Sequence, residues 1–218
     1  MGISPHRLNI LVHILAGGAA IVLGLVLLAR PKDAIHHRRR GRLFVLLTCV
    51  VCLTAAIGNA VFRFLPLFAV LSVLVSYQLL SGWHVIYTRA GGPDKFDAGL
   101  LLGAAVITAM LVRRLFADGA QVGAASSVLY SSLGAVACLL AYDAARWLFP
   151  RRWHAVLWRY EHIYKILGCL FGMLSAAIGN TVRAGQPWSQ LAPSALGLAV
   201  VVCCMARTHR RTRPGQIG

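Results

Sequence analysis

The chain has 218 residues, 58% of them hydrophobic, and its mean hydropathy is +0.70. Soluble domains contain roughly 45–50% apolar residues, so this composition indicates an integral membrane protein. A formal net charge of +16 would suggest nucleic-acid binding in a soluble domain, but the basic residues lie between apolar segments without interleaved aromatic residues, which excludes a nucleic-acid platform.

Seven apolar segments are long enough to cross a hydrocarbon core of about 30 Å. The predicted spans cover residues 8–29, 43–62, 64–87, 96–112, 120–142, 162–182 and 188–206. The longest gap, 143–161, is too short for a soluble domain, and its three tryptophans are typical of an interfacial segment. We therefore predict an all-α integral membrane protein with a single transmembrane domain over residues 1–218.

The distribution of basic residues predicts the orientation of the chain. Of the 22 Lys and Arg residues, 17 fall on one side of the spans and 5 on the other. Because short basic loops stay in the cytoplasm, we predict an outside N-terminus and a cytoplasmic C-terminus. The basic residues at 38–42, with His36, are expected to form a solvated cap that meets anionic lipid headgroups.

Two segments of the chain are similar to each other. "TAAIGNAV" (54–61) and "SAAIGNTV" (175–182) match at six of eight positions and lie in spans two and six, which run in the same direction. This similarity suggests a 3+1+3 parallel repeat, with span four as the connector. Small residues in such a segment allow close helix contact, and we expect Asn59 and Asn180 to form hydrogen bonds across it.

Histidines recur at the predicted cytoplasmic ends of three spans. His37 precedes span two, His84 lies near the end of span three, and His162 opens span six. We expect these three side chains to form one polar site that binds haem b or a transition metal, with Asp143 orienting a ring or serving as a metal ligand. His13 lies in the outer part of span one and is a separate candidate.

Asp143 also has a simpler interpretation. It stands three residues before Arg146, and the two side chains can form an ion pair at the end of span five. Glu161, at the start of span six, lies at the same depth. Ionisable residues at membrane depth usually face the bundle interior or a water-filled cavity, so both carboxylates are expected to point inward.

The order of these residues resembles a family of bacterial multi-pass membrane proteins described only as a domain of unknown function. The resemblance rests on His13 followed by glycines, on "HRRRGR" (37–42) opening span two, and on "SGW" (81–83) closing span three. It continues with Asp143 closing span five and with His162-x-x-Lys165 opening span six. The family implies no activity, but it points to His13, His37, Asp143 and His162 as the positions to test.

Three functions are consistent with this pattern. The first is binding of haem b or a metal for membrane redox or related chemistry, which requires histidines from different helices to converge. The second is small-molecule or proton-coupled transport, in which the same polar groups would serve coupling. The third is a non-catalytic role as a membrane assembly subunit. We expect the first of these.

Overall fold

The structure, a computed structural model, describes residues 4–30, 34–117 and 126–212, and the helices of these residues form an antiparallel bundle. Seven of them are long and apolar enough to cross a membrane, which confirms the predicted number of spans. They are α1 (Pro5–Ala29), α2 (Ala34–Ile57, continued by a π-helical turn at Gly58–Phe62), α3 (Pro66–Thr88), α4 (Lys95–Ala117), α5 (Ser126–Ala145), α6 (Arg151–Thr181) and α7 (Trp188–Thr212). Short 3-10 turns at Arg89–Gly91 and Arg146–Leu148 follow α3 and α5.

Proline marks the start of three helices. Pro5 stands in the first turn of α1, directly after Ser4, whose Oγ accepts a hydrogen bond from the backbone N–H of Arg7. Pro66 opens α3, and Pro150 caps α6. Proline suits these positions because the first N–H groups of a helix have no partner within it.

Several helices extend beyond the predicted spans, and α6 does so most. α6 begins at Arg151, not at residue 162, so most of the segment expected at the interface continues the helix. This segment contains neither glycine nor proline after Pro150, and nothing in it interrupts the helix. α4 likewise continues to Ala117. The predicted start of span five, residues 120–125, lies outside the described residues.

α3 is the central helix of the bundle. In its most apolar window 61% of the residues are buried, against 39% in α6 and 28% or less in the other helices. One face of α3 packs against α2 and α6 around Leu79 and Leu170, in a cluster that residues of α1 complete, and another packs against α4 and α5 around Leu74 and Val136. The outer helices expose many large apolar side chains, as expected for surfaces that face lipid.

The two similar segments make different contacts. Thr54 Oγ1 lies 2.9 Å from His13 Nδ1 and so faces α1, whereas the Ser175 hydroxyl at the matching position donates to the carbonyl of Gln190 in α7. Asn59 Oδ1 accepts a hydrogen bond from the backbone N–H of Leu65, while Asn180 is exposed. The parallel repeat and the orientation across the membrane stay predictions.

Candidate functional site

One end of the bundle carries most of the charged residues. There α1, α3, α5 and α7 end and α2, α4 and α6 begin, and we call it the basic end. Two polar groups lie at this end. The first is partly exposed and contains His84, Asp94 and Asp97; the second is buried and is centred on Asp143 and Glu161.

His84 joins two carboxylates at the start of α4. Its Nε2 lies 3.1 Å from both Asp94 Oδ1 and Asp94 Oδ2, and 3.9 Å from Asp97 Oδ2. One potential ligand atom from each of the three residues lies within 4.8 Å of the others. The imidazole packs on Phe96, with ring centroids 4.4 Å apart, which fixes its orientation toward the carboxylates.

The two carboxylates also cap α4. The backbone N–H of Asp97 donates to Asp94 Oδ1 at 3.2 Å, and the backbone N–H of Asp94 donates to Asp97 Oδ2 at 3.1 Å. This reciprocal pair is a capping box, which satisfies two N–H groups that a helix start leaves open. Capping therefore explains why Asp94 and Asp97 are close, but it does not explain why His84 joins them.

The hydrogen bonds at Asp94 affect its ionisation. Slight burial alone would raise the pKa of Asp94, but the hydrogen bonds from the Asp97 backbone and from His84 outweigh it and hold the pKa below its ordinary value. The carboxylate thus stays ionised at neutral pH, the state that a metal ligand requires.

A tight turn holds the loop before Asp94 against α6. Gly92 has a φ of +80°, and a Cβ on it would lie 2.8 Å from Cδ2 of His154, a buried residue of α6. Only glycine fits there without strain, since the backbone is left-handed and the space is filled. The loop from α3 to α4, which carries Asp94, is therefore held against α6.

Asp143 is the centre of the buried group. Lys165 Nζ donates to Asp143 Oδ1 at 2.7 Å and to Oδ2 at 2.9 Å, and Arg146 Nη1 donates to Oδ1 at 3.2 Å. Oδ2 also accepts from the hydroxyls of Tyr77 at 2.6 Å and Ser81 at 3.3 Å. The predicted ion pair with Arg146 is thus confirmed, and Lys165 supplies a second cation. Both carboxylate oxygens are used by these four side chains.

Glu161 completes the buried group. Its Oε1 accepts a hydrogen bond from the Tyr142 hydroxyl at 3.0 Å, and its Oε2 lies 2.9 Å from Arg146 Nη2. Arg146 therefore bridges Glu161 and Asp143. The exposed fractions of Lys165, Glu161, Arg146 and Asp143 are 0%, 1%, 2% and 5%, so two carboxylates and two cations lie together in the bundle interior.

Gly82 brings α3 and α6 close enough for this arrangement. A Cβ at Gly82 would lie 2.7 Å from Cβ of Lys165, well inside the usual contact distance. The carbonyl of Gly82 accepts a hydrogen bond from Nδ1 of His162 at 2.8 Å. The absence of a side chain thus lets Lys165 reach Ser81, whose Oγ lies 2.6 Å from Nζ, as well as Asp143.

The structure places the predicted site residues in separate contacts. His84 faces Asp94 and Asp97, His162 faces the Gly82 carbonyl, and Asp143 belongs to the buried ionic group. His37 is half-buried at the start of α2, next to the exposed His36, and the described contacts do not place it with the other three. His13 pairs with Thr54 in the other half of the bundle, as expected for a separate candidate.

Sequence reasoning missed Asp94, which lies just before predicted span four, and Asp97, which lies in the first turn of that span. The signal that could have found them is Asp-x-x-Asp directly before an apolar helix, which is the pattern of a capping box. Comparison with known proteins adds no further guide: no protein-family model, no curated protein and no solved structure matches this chain.

Proposed function

We propose that this chain is a multi-pass membrane protein that binds a divalent transition-metal ion through His84, Asp94 and Asp97 at the basic end of the bundle. The observation that carries the proposal is the convergence of three potential ligand atoms, from two helices and the loop between them, within 4.8 Å. The two capping acids would suffice to start α4, so the histidine is the feature that favours a metal.

The ligand types indicate which metals to test. One imidazole and two carboxylates suit Zn²⁺, Mn²⁺ or Fe²⁺. Asp94 Oδ1 is occupied by the backbone N–H groups of Phe96 and Asp97, so Oδ2 is the oxygen available for an ion. Three protein ligands leave coordination positions for water or substrate, which is the arrangement of catalytic and redox centres more than of structural ones.

We favour this metal site over the haem b alternative. Axial haem ligation requires two histidines from different helices on opposite sides of the macrocycle. His84 Nε2 is directed at Asp94, and Nδ1 of His162 is directed at a backbone carbonyl. The site with His37, His162 and Asp143 as further ligands, and the kinship with the bacterial family of unknown function, stay predictions.

The charge distribution indicates on which side of the membrane the site lies. We propose that the basic end faces the cytoplasm in a bacterial inner membrane and that Arg38, Arg39 and Arg42 contact anionic lipid headgroups. The ion would then come from the cytoplasmic side.

The test uses detergent-purified protein that has been stripped with a chelator. Zn²⁺ and Mn²⁺ are titrated separately by calorimetry, and we expect one ion per chain. His84→Ala should lower the affinity at least about tenfold, since it removes the only nitrogen ligand. His36→Ala, an exposed histidine at the same end, is the matched control and should bind as the unmodified chain does. Unchanged binding by His84→Ala would refute the site, and a Soret band in the visible spectrum would favour haem instead.

The buried ionic group favours a second candidate function. Charged residues inside membrane bundles commonly serve proton or substrate coupling. Replacing a buried ion pair by apolar residues is often neutral or stabilising, so a gain in stability does not by itself account for such a group. The four buried charges of this group, Arg146 included, are therefore consistent with proton-coupled transport. Transport would be supported by proton-dependent uptake of a solute into vesicles that is lost in Asp143→Asn.

A further inference from the structure

Glu161 differs from every other acidic residue of the chain. It is the only glutamate in the sequence, it lies on α6 within a membrane-spanning helix, and its exposed fraction is 1%. The groups that face it are Tyr142 and Asp143 of α5, Arg146 of the turn after α5, and Tyr164 and Lys165 of α6. Tyr77 of α3 contacts Asp143, and Asp97 of α4 acts on Arg146.

The two buried carboxylates differ in the number of hydrogen bonds that they accept. Asp143 accepts hydrogen bonds from four side chains, and two of these donors are cations. Glu161 accepts one, from Tyr142. Its Oε2 is close to Arg146 Nη2, yet within the described residues no hydrogen bond of proper direction reaches this oxygen. Protonation of Asp143 would disrupt hydrogen bonds from four side chains and the ion pairs with Lys165 and Arg146, whereas protonation of Glu161 at Oε2 would disrupt one ion pair, that with Arg146.

The guanidinium of Arg146 can change its position when Glu161 is protonated. Its guanidinium touches Glu161 through Nη2 and Asp143 through Nη1, so both carboxylates share one cation. Its Nε has no hydrogen-bond partner among the described residues and does not tie the side chain to one position. A proton on Oε2 would point at a guanidinium that is itself a donor, and Arg146 would have to withdraw toward Asp143.

We propose that Glu161 is a proton-binding site inside the bundle and that its protonation transfers Arg146 from Glu161 to Asp143. A proton from water at the basic end forms an O–H bond at Oε2, the carboxylate becomes a neutral carboxylic acid, and the same proton returns to water on release. The Tyr142 hydroxyl keeps its hydrogen bond to Oε1 in both states. The net charge of the four residues Asp143, Arg146, Glu161 and Lys165 changes from zero to +1.

This inference goes beyond metal binding and does not depend on it. His84, Asp94 and Asp97 can be empty or filled while Glu161 gains or loses its proton. A buried change of one charge, with a shared arginine that moves between two partners, is the kind of local event that biases helix packing between two arrangements. The proton is therefore the ligand of this second site.

The single glutamate allows a direct test on the unmodified chain. Cell-free synthesis with glutamate labelled with ¹³C at the side-chain carboxyl places a label at residue 161 alone. The carboxyl resonance is then followed in metal-free protein in lipid nanodiscs from about pH 5 to about pH 9, the range in which buried glutamates are known to titrate. We expect the resonance to move from the position of a protonated acid to that of a carboxylate. A resonance that keeps either position over the whole range would overturn the proposal.

Two variants test whether the protonation of Glu161 depends on its buried neighbours and not on surface charge. Tyr142→Phe removes the one hydrogen bond to the ionised carboxylate, so at a given pH the ratio of protonated to ionised label should rise about tenfold. Arg151→Gln removes an exposed charge on the same helix and should leave the ratio unchanged. Equal ratios in Tyr142→Phe and the unmodified chain, or a shift in Arg151→Gln, would contradict the assignment.

Discussion

Lys165 of α6 and Asp143 of α5 form an ion pair in the bundle interior, with Nζ 2.7 Å from Oδ1 and 2.9 Å from Oδ2. Lys165 is fully buried and Asp143 is 5% exposed. A buried charge without its partner is costly, because neither water nor another ion compensates for it. The pair therefore fixes α5 and α6 against Ser81 of α3, which contacts both residues.

Removing the lysine should destabilise the bundle strongly. Lys165→Met keeps most of the side-chain volume but leaves Asp143 with Arg146 as its remaining cation, and we expect the free energy of unfolding to fall by about 3–5 kcal/mol. Chemical unfolding in detergent measures this change. Arg159→Met, an exposed position on the same helix, should change it by no more than about 0.5 kcal/mol. If the two variants are equally stable, the ion pair does not hold the helices together.

A side chain at position 82 should separate α3 from α6. In Gly82→Ala the added Cβ would lie 2.7 Å from Cβ of Lys165, so one helix must move, at a cost of about 1–3 kcal/mol. Gly103→Ala is the matched control, because no atom lies within 4 Å of its added Cβ and alanine favours the helix by roughly 0.5–1 kcal/mol. Thermal unfolding of the two variants should thus shift in opposite directions, and a Gly82→Ala protein as stable as Gly103→Ala would disprove the close contact.

The sequence predicts the number of spans and the end of the bundle at which the polar residues lie. Hydropathy is a local property, and seven segments of sufficient length can be recognised without any knowledge of their neighbours. The positions of Asp143 and Glu161 at one depth follow from the same local pattern. The interpretation of residues 151–161 as interfacial was incomplete, because tryptophans mark a position at the membrane surface but do not end a helix.

The partners of each charge could not be predicted in the same way. Tyr77 and Asp143 are 66 residues apart and Ser81 and Lys165 are 84 apart, and their contacts depend on how α3, α5 and α6 pack. Nothing in one sequence tells which of several inward-facing side chains meet. The same reason explains why three histidines at one depth were expected to converge, whereas His84 and His162 have different partners.

Acid should weaken the start of α4. The folded protein holds the pKa of Asp94 below its ordinary value of 3.8, against the effect of slight burial, through hydrogen bonds from Asp97 and His84. The carboxylate then binds fewer protons in the folded state than in the unfolded one, so its contribution to stability is present above pH 3.8 and is lost as the pH falls through the lower folded value.

Asp94→Asn tests this dependence. Asparagine is a good helix cap but does not titrate, so the variant should lose less stability than the unmodified chain when the pH is lowered below about 4. Unfolding in detergent at a series of pH values provides the comparison. Parallel pH curves for the two proteins would show that Asp94 is not stabilised in its ionised form.

The orientation of the chain decides which compartment supplies the proposed metal and proton sites. Seventeen Lys and Arg residues on the side of the basic end, against five on the other, predict that this end is cytoplasmic. A reporter that is active only in the cytoplasm should work when fused after Gly218, and one that is active only outside should work before Leu8.

Removing basic residues tests whether they set this orientation. Replacing Arg38, Arg39 and Arg40 with Gln should leave some molecules inverted, because the first basic segment carries much of the difference in charge between the two sides. Activity of the two reporters in the opposite compartments would place His84 and Glu161 near the outer surface, where periplasmic or external ions and protons would reach them.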